Sequence, residues 1–309
     1  MFGYWLLHFT ASPQHPRQSH HAEYANRNPS PSVVGYTQDK LPANAWKLSA
    51  TPFESTLGAD IDIQVLTSGF TDDVYFDDGG ADPNYDFTAL APSIQIQDRD
   101  ASGKVTGGLT RYYYVADAGW DAAYTDIRPG WVNQMGDALG GENAEAVTLP
   151  AGVGFWFKDP QTGTQLTFAG QVISDDTAET ECSAGQWTIV SNPFPTDFTL
   201  NGDKAAWSNM SVAEFDPADP PEGYDFTTVA PSIQVQERNA SGDVTGGLTR
   251  YYYVQDAGWD AAYTDIRPGW VNQMGDALGG ENAEAVTIKA GEGFWFRDPA
   301  KAAKVTITK

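Results

Sequence analysis

The chain has 309 residues, 41% of them apolar, which is enough for two domains that each bury a core. Its 41 acidic and 18 basic residues give a formal net charge of −23, which disfavours nucleic acid and anionic membrane surfaces as partners. Its single cysteine, Cys182, excludes an intramolecular disulfide and a thiolate metal cluster built from one chain.

The first 32 residues differ in character from the rest of the chain. Their apolar run, MFGYWLLHFT, is too short to span a bilayer and lacks the preceding basic residues of a secretory signal. The sequence that follows is rich in His, Pro, Ser and Asn, a composition that favours disorder. We therefore interpret residues 1–32 as an atypical leader or a disordered segment, and we expect no membrane span.

Short segments with alternating apolar and polar residues follow, separated by Gly, Asp and Pro turns. This pattern predicts an all-β fold. The predicted strands are 60–66, 73–77, 93–99, 109–115, 146–149, 154–158 and 164–172. The closest approach to a helical pattern, GDALGGENAEA at 136–146, predicts at most one helical turn because Gly140 and Gly141 interrupt it.

The second part of the chain repeats the first. Residues 85–160 align without gaps with residues 224–299, and 65 of the 76 positions are identical. Upstream, AWKLSATPF at 45–53 corresponds to QWTIVSNPF at 186–194. The repeat indicates two tandem homologous domains, at 33–173 and 174–309. Each is predicted to be an antiparallel β-sandwich or a partly open β-barrel.

Aromatic residues in the repeated segment allow two interpretations. Exposed rings would form a platform for the faces of sugar rings, whereas buried rings would fill a small β core, which is the interpretation we favour. In GFWF at 154–157, alternation places Trp156 on the face opposite Phe155 and Phe157. The candidate ligand-binding residues are Tyr114, Trp120, Trp131 and Trp156 with their counterparts Tyr253, Trp259, Trp270 and Trp295.

The acidic segment DRDASGK at 98–104 partly matches a calcium-binding loop. Asp98 and Asp100 are weak candidate ligands, but Leu occupies the position of the required bidentate Glu, and the counterpart ERNASGD replaces both aspartates. A hairpin turn with Gly103 and its counterpart Gly242 in a left-handed conformation explains both versions. We therefore expect no bound metal and no cofactor.

The distribution of histidine argues against catalysis. All four histidines lie within the first 21 residues, which excludes a Ser/His/Asp, Cys/His or imidazole-ligated metal site inside either domain. Glycine motifs for phosphates, dinucleotides or a nucleophile elbow are also missing from the sequence. We therefore expect a protein that is not an enzyme. A glycan hydrolase that uses carboxylates alone ranks last, because 41 acidic residues offer pairs at any spacing.

The motifs of the repeat carry a resemblance to a known kind of module. Trp followed by (N/T)PF, an acidic turn, YYY followed by GW, and GFWF before a Thr-rich strand resemble modules found singly or in tandem in uncharacterised secreted bacterial proteins. The resemblance covers residues 33–309. It implies a β-rich part of an extracellular or cell-surface protein and brings no catalytic residue with it.

Two hypotheses for function follow. The first is a non-enzymatic structural or surface protein that self-associates head to tail, because SVVGYTQDK at 32–40 resembles the GQV end (170–172) that the second domain lacks. Pairing of this segment within the first domain is the alternative. The assembly residues would be Val33, Val34, Gly35 and Tyr36. The second hypothesis is a pair of carbohydrate-binding modules whose partner is a neutral glycan.

Overall fold

The structure is a computed structural model. It describes residues 34–40, 43–54, 60–66, 74, 86–119, 127–160, 165–213, 225–258 and 266–309. Residues Val33–Lys309 form one compact unit. Following the sequence repeat, we call residues 33–173 the first half and 174–309 the second half. In the described ranges no helix combines the length and the apolar character needed to cross a membrane.

Strands are the predominant regular element in the described part of the first half. They are β1 (Val34–Lys40), β2 (Lys47–Ala50), β3 (Phe53–Glu54), β4 (Ile61–Asp62), β5 (Ser93–Arg99), β6 (Val105–Gly119), β7 (Ile127–Val132), β8 (Thr148–Leu149), β9 (Gly154–Lys158) and β10 (Gln165–Val172). A 3₁₀ turn spans Ile63–Val65. One helical turn, α1 (Phe87–Leu90), begins at Asp86, whose carboxylate accepts a hydrogen bond from Thr88 N at 3.0 Å.

The second half has the same types of secondary structure. Its strands are β11 (Thr177–Cys182), β12 (Thr188–Ser191), β13 (Phe198–Thr199), β14 (Ala205–Ser208), β15 (Ser232–Arg238), β16 (Val244–Gly258), β17 (Ile266–Val271), β18 (Thr287–Ile288), β19 (Gly293–Arg297) and β20 (Ala303–Thr308). The turn α2 (Phe226–Val229) begins at Asp225 and corresponds to α1.

Each half contains a five-stranded sheet with the same strand order. The order is β2-β9-β5-β6-β7 in the first half and β12-β19-β15-β16-β17 in the second. A three-stranded sheet accompanies each of them, with the orders β1-β10-β3 and β11-β20-β14. All these strand pairs are antiparallel. The predicted all-β class with antiparallel sheets is confirmed, whereas the domain boundary at 173/174 stays a prediction.

The main core of each half lies between its five-stranded and three-stranded sheets. In the first half, the ring centroid of Phe155 in β9 lies 6.0 Å from that of Phe168 in β10. The ring centroid of Phe157 lies 6.4 Å from that of Trp131 in β7, and Trp131 is fully buried. Burying each phenylalanine contributes roughly 1.5–3 kcal/mol. The period-2 alternation of GFWF therefore places one face of β9 in the core.

The opposite, outer face of the five-stranded sheet is covered in two ways. Over β6 and β7 it is covered by α1, where Phe87 packs on Tyr113 with 5.4 Å between ring centroids. Over β2 and β9 it is covered by the other half of the chain, through a cluster that includes Leu48, Trp156 and Ile189. The outer face between these two covers holds the candidate site.

Strand β1 lies along β10 of the same half, with Val34 opposite Gln171 and Tyr36 opposite Ala169. In the second half β11 lies along β20 in the same way, so the counterpart of β1 is β11 and not the GQV segment. Strand β20 is paired on both sides, with β11 and β14. The premise that the second half lacks a strand is therefore wrong, and the backbone of Val34, Gly35 and Tyr36 is already paired. Val33 lies outside the described residues.

Residues 136–146 form no helical turn, which agrees with the limit of at most one turn set by the sequence, and Gly140 has a φ of 75°, which breaks a helix. One local prediction differs from the structure. Residues 60–66 are a strand only in β4 and continue as the 3₁₀ turn, because Asp62 accepts a hydrogen bond from Gln64 N at 2.9 Å and starts a turn. The predicted strand at 73–77 falls almost entirely outside the described residues.

Candidate ligand-binding face at the junction of the two halves

A buried glutamine of the first half completes the edge strand of the second. Gln97 of β5 is 4% exposed; its amide oxygen accepts a hydrogen bond from Ile189 N at 2.7 Å, and its Nε2 donates one to Trp187 O at 2.8 Å. Strand β12 lies at the edge of its sheet, where backbone groups have no neighbouring strand. The amide of Gln97 supplies the donor and the acceptor that such a strand would supply.

The second half makes the same contact with the first. Gln236, the counterpart of Gln97, accepts a hydrogen bond from Leu48 N at 2.6 Å and donates one to Trp46 O at 2.7 Å. An interface in which each side repeats the contacts of the other is isologous, as in two-fold symmetric dimers. Here the arrangement lies within one chain, and we call it the reciprocal junction.

Two glycines allow the halves to approach closely. A Cβ atom at Gly154 of β9 would lie 2.3 Å from Ile189 Cγ2, and one at Gly293 of β19 would lie 2.8 Å from Leu48 Cγ. Leu48 is fully buried and Ile189 is 3% exposed. Each half therefore packs one aliphatic side chain against a glycine of the other half, so this contact is also reciprocal.

The junction departs from symmetry at one ionic cluster. Glu292 is 2% exposed, pairs with Arg238 at 2.7 Å and accepts a hydrogen bond from Lys289 N at 2.9 Å. Burial, followed by the positive charge of Arg238, lowers the pKa of nearby Lys47 to about 8, although Glu292 acts in the opposite direction. The counterparts of this cluster are Val153, Arg99, Pro150 and Thr188. The equivalent place on the other side of the junction therefore lacks the buried carboxylate.

A cleft of about 480 Å³ lies on that other side. Its ionisable lining is Arg99, Lys104, Glu179, Glu181 and Cys182. Glu179 pairs with Lys304 at 2.5 Å. Burial raises the pKa of the Cys182 thiol to about 12, so the thiolate is scarce at neutral pH. The described part of this cleft offers no activated nucleophile.

Four tryptophans form a row across the junction: Trp46, Trp156, Trp295 and Trp187, in that order. Successive ring centroids are 6.3, 6.4 and 6.4 Å apart. Trp156 is 9% exposed and the other three are half-buried. The two outer pairs meet edge to face, at 82° and 80°, and the central pair is tilted by 42°. This tryptophan row is an aromatic strip shared equally by the two halves.

Strand register puts polar residues beside the row. In the first half, four adjacent strands have one residue each at directly opposite positions: Leu48 on β2, Trp156 on β9, Gln95 on β5 and Arg111 on β6. Opposite residues of antiparallel strands share a face. In the second half the same positions hold Ile189, Trp295, Gln234 and Arg250. In both halves, the order of side chains outward from the junction is therefore the same: an aliphatic group, an indole, an amide and a guanidinium.

Four cations flank the row. The guanidinium carbon of Arg111 lies 4.9 Å from the ring centroid of Trp46, and Lys158 Nζ lies 5.9 Å from it. The guanidinium carbons of Arg250 and Arg297 lie 5.1 and 6.0 Å from the centroid of Trp187. We call these four residues the flanking cations. Cations over indole faces are attracted by the π electrons, by about 0.5–1 kcal/mol at exposed sites.

The turns before Trp46 and Trp187 fix the ends of the row. Asn44 has a φ of 56° and donates from its backbone N to Asp159 O at 2.7 Å. Gly185 has a φ of 72° and donates to Asp298 O at 2.7 Å. Asn and Gly are the residues that most readily adopt this left-handed conformation, so different residues build the same turn in the two halves.

The structure corrects part of the predicted ligand-binding set. Trp131 and Trp270 are fully buried in the two cores, and Tyr114, 7% exposed, packs on Trp131 with 5.6 Å between centroids. Tyr253 is half-buried and packs on Trp270 at 5.4 Å. Rings enclosed on both faces cannot stack on a ligand, so core packing, the interpretation favoured from sequence, is right for Trp131, Trp270 and Tyr114.

The rest of the set has a mixed outcome. Trp156 and Trp295 belong to the tryptophan row, although Trp156 is almost covered. Trp120 and Trp259 lie outside the described residues. Trp46 and Trp187, which form the ends of the row, were not predicted. Their presence in both upstream motifs, AWKLSATPF and QWTIVSNPF, was the available signal, but sequence gave no sign that Arg111 and Arg250 would lie over them.

The acidic segment at 98–104 forms a hairpin turn. Asp100 accepts hydrogen bonds from Ser102 Oγ at 2.6 Å, Lys104 N at 3.1 Å and Ser102 N at 2.9 Å, and these contacts hold the pKa of the Asp100 carboxyl below its usual value. Asp98 accepts from Thr110 Oγ1. Gly103 has a φ of 83°. Side-chain oxygens of Asp98 and Asp100, the weak metal candidates, therefore accept hydrogen bonds within the hairpin, and within the described ranges no group of three or more His, Cys, Asp or Glu could hold a metal ion.

Comparison with protein-family models, with curated proteins and with solved structures finds no match for this chain. We therefore infer its function from its own geometry.

Proposed function

We propose that the chain is a non-enzymatic structural module of an extracellular or cell-surface protein, in which the two halves act as one rigid unit. The observation that carries this proposal is the reciprocal junction, where Gln97 and Gln236 each complete the edge strand of the opposite half. A flexible pair of binding domains has no need for such a contact. The confinement of histidine to the first 21 residues also supports a non-catalytic role.

The junction covers two sheet edges that would otherwise be open to other molecules. Exposed edge strands are templates for pairing with other molecules. The edges of β2 and β12 are covered by the other half, through the glutamines and through Ala50 N, which donates to Gly291 O at 2.9 Å. A net charge of −23 adds repulsion between separate copies. Both features suit a soluble, individually folded spacer at a cell surface.

Protease treatment of intact cells that naturally make the protein tests this proposal. A surface location and a rigid junction together lead us to expect release of a protease-resistant fragment that contains both halves. Absence of any released fragment, with full-length protein recovered after lysis, would contradict the surface location. Release of the two halves as separate fragments would contradict the rigid unit.

A second candidate function is glycan binding, because the half-buried tryptophans of the row lie along one face. The flat side of an indole stacks on the C–H face of a pyranose ring, and aromatic residues dominate such sites. A glycan array with Trp46→Ala and Trp187→Ala combined tests it, and we expect the signal to be lost. Met135→Ala with Met274→Ala is the matched control, since these exposed apolar side chains are 75% and 76% accessible. Equal loss in both double variants would contradict this function.

A further inference from the structure

The flanking cations are unusual for this chain because none of them pairs with a carboxylate of the described residues. Acidic residues outnumber basic ones by 41 to 18. Yet within the described ranges no carboxylate oxygen lies within 4.0 Å of the charged nitrogens of Arg111, Lys158, Arg250 or Arg297. Two cations over each end of the row, unpaired with any described carboxylate, give this face a positive potential on a molecule whose net charge is negative.

Hydrogen bonds to a neutral amide hold the guanidinium groups of Arg111 and Arg250 in place, and no carboxylate of the described residues pairs with them. The amide of Gln95 is oriented with its oxygen toward the guanidinium of Arg111. This oxygen accepts hydrogen bonds from Arg111 Nε at 2.9 Å and from Arg111 Nη2. The oxygen of Gln234 accepts from Arg250 Nη2 at 2.8 Å and Nε at 3.3 Å in the same way. A neutral amide fixes the orientation of the guanidinium but leaves its charge and its Nη1 donors available.

Two of the cations lie closer to the junction edge. Arg297 Nε donates to Gly185 O at 3.1 Å, which ties it to the turn before Trp187. Its counterpart in the first half is Lys158. This is one of the 11 positions that differ among the 76 aligned residues, and the difference keeps the positive charge. The same charge and the same indole are thus present on both sides of the reciprocal junction.

We propose that the tryptophan row and the flanking cations together bind an anionic polysaccharide, one that carries carboxylate or sulfate groups. Anionic oxygens would accept charge-assisted hydrogen bonds from the guanidinium and ammonium groups, while the uncovered parts of the indoles pack against sugar C–H groups. Because the two halves present equivalent groups, a polymer with a repeating charge occupies both at once, which raises its apparent affinity over that of a short fragment. This inference rests on the second candidate function, glycan binding.

Isothermal titration calorimetry on the full chain tests the ligand class. The probes are dextran sulfate, polygalacturonate, neutral dextran and poly-glutamate. We expect binding to dextran sulfate, to polygalacturonate or to both, weakened by added salt, and no binding to dextran or poly-glutamate. The first two probes distinguish sulfate from carboxylate as the recognised group.

A pair of double variants tests the location. We expect Arg111→Gln with Arg250→Gln to weaken binding by at least about tenfold, because each substitution removes a charge-assisted hydrogen bond to the anionic group. Lys104→Gln with Lys301→Gln removes the same charge from exposed positions outside the row and is expected to change affinity less than about twofold. Thermal unfolding of each variant verifies that it is folded.

Each other outcome overturns a defined part of the proposal. Equal binding of dextran and dextran sulfate would refute the anionic ligand and leave glycan binding standing. Binding of poly-glutamate as tight as that of the polysaccharides would show that the face responds to charge alone. Equal weakening of polysaccharide binding in both double variants would show that the binding site is not at the tryptophan row. No binding to any of the polysaccharides would end both this inference and the glycan-binding function, while the structural role would be unaffected.

Discussion

Single residues that differ between the two halves show how the junction tolerates unlike chemistry. Glu292 is compatible with burial because Arg238 and the backbone N–H of Lys289 satisfy its two oxygens. In the first half the position of Lys289 is Pro150, which has no N–H to donate, and the position of Glu292 is Val153. The carboxylate and its backbone donor are therefore replaced together, so no buried acceptor is left without a partner.

The pKa of Lys47 leads to a pH dependence of stability. Its folded-state pKa of about 8 lies below the ordinary value of 10.5, so the unfolded chain binds more protons between these two pH values. The free energy of unfolding of the wild type relative to Lys47→Met is therefore expected to rise by on the order of 1–3 kcal/mol from pH 8 to pH 10.5. Chemical denaturation of both proteins at several pH values measures it. A constant difference across this range would contradict the lowered pKa.

The thiol of Cys182 is expected to be unreactive in the native state. Burial raises its pKa to about 12, so at pH 8 the thiolate fraction falls by about two to three orders of magnitude from that of an ordinary cysteine. A thiol-disulfide reagent such as DTNB, applied to native and guanidinium-unfolded protein, gives the two rates. Similar rates in both states would show that the native thiol is exposed.

At the scale of elements, the arrangement of β2 and β12 is the central feature of the structure. Both are four-residue edge strands, and each receives one donor and one acceptor from a glutamine on β15 or β5 of the opposite half. A glutamine amide has the same hydrogen-bonding groups as a peptide unit, which is why one side chain can take the place of a strand at this point.

Removing one of these glutamines is expected to destabilise the protein. Gln97→Ala leaves Ile189 N and Trp187 O without their partners in a buried interface, at a cost of about 1–3 kcal/mol. Gln236→Ala is expected to cost a similar amount because its two bonds are equivalent. Gln134→Ala and Gln273→Ala, which truncate an exposed glutamine in each half, serve as the controls. Equal stability of Gln97→Ala and wild type in urea denaturation would argue against the reciprocal junction.

The close approach at Gly154 can be tested by steric substitution. Gly154→Ala places a methyl group 2.3 Å from Ile189 Cγ2 and is expected to cost about 1–3 kcal/mol through overpacking. Ile189→Ala removes the opposing atom, so the double variant is expected to lose less stability than the sum of the two single variants. Strict additivity in this double-mutant cycle would indicate that the two residues are not in contact.

At the scale of the whole molecule, sequence predicted the class of fold but not the site. Period-2 alternation over 93–99 and 154–158 gave β5 and β9 with their observed bounds, because one face of each strand is buried in the core. The candidate site depends on long-range contacts, such as Arg111 over Trp46 and Gln97 on β12. Pattern within one segment carries no information about which segments meet across 65 or more residues.

The same limit explains the assembly prediction. The segment at 32–40 was compared with 170–172 because the two look alike, but its described part, β1, pairs with β10, with Val34 opposite Gln171 and Gly35 opposite Gly170, so the two are partners and not equivalents. Neighbouring strands of one sheet share the same preference for β-branched and small residues, so likeness in sequence does not distinguish a partner from a counterpart.

The most direct test of the central claim, that the reciprocal junction joins the two halves into one cooperative unit, is differential scanning calorimetry of the full chain. We expect a single unfolding transition whose calorimetric and van't Hoff enthalpies agree, since separation of the halves would expose Leu48, Ile189 and both glutamines at once. Two transitions, or a van't Hoff enthalpy near half the calorimetric value, would show that the halves unfold independently and that the junction does not couple them.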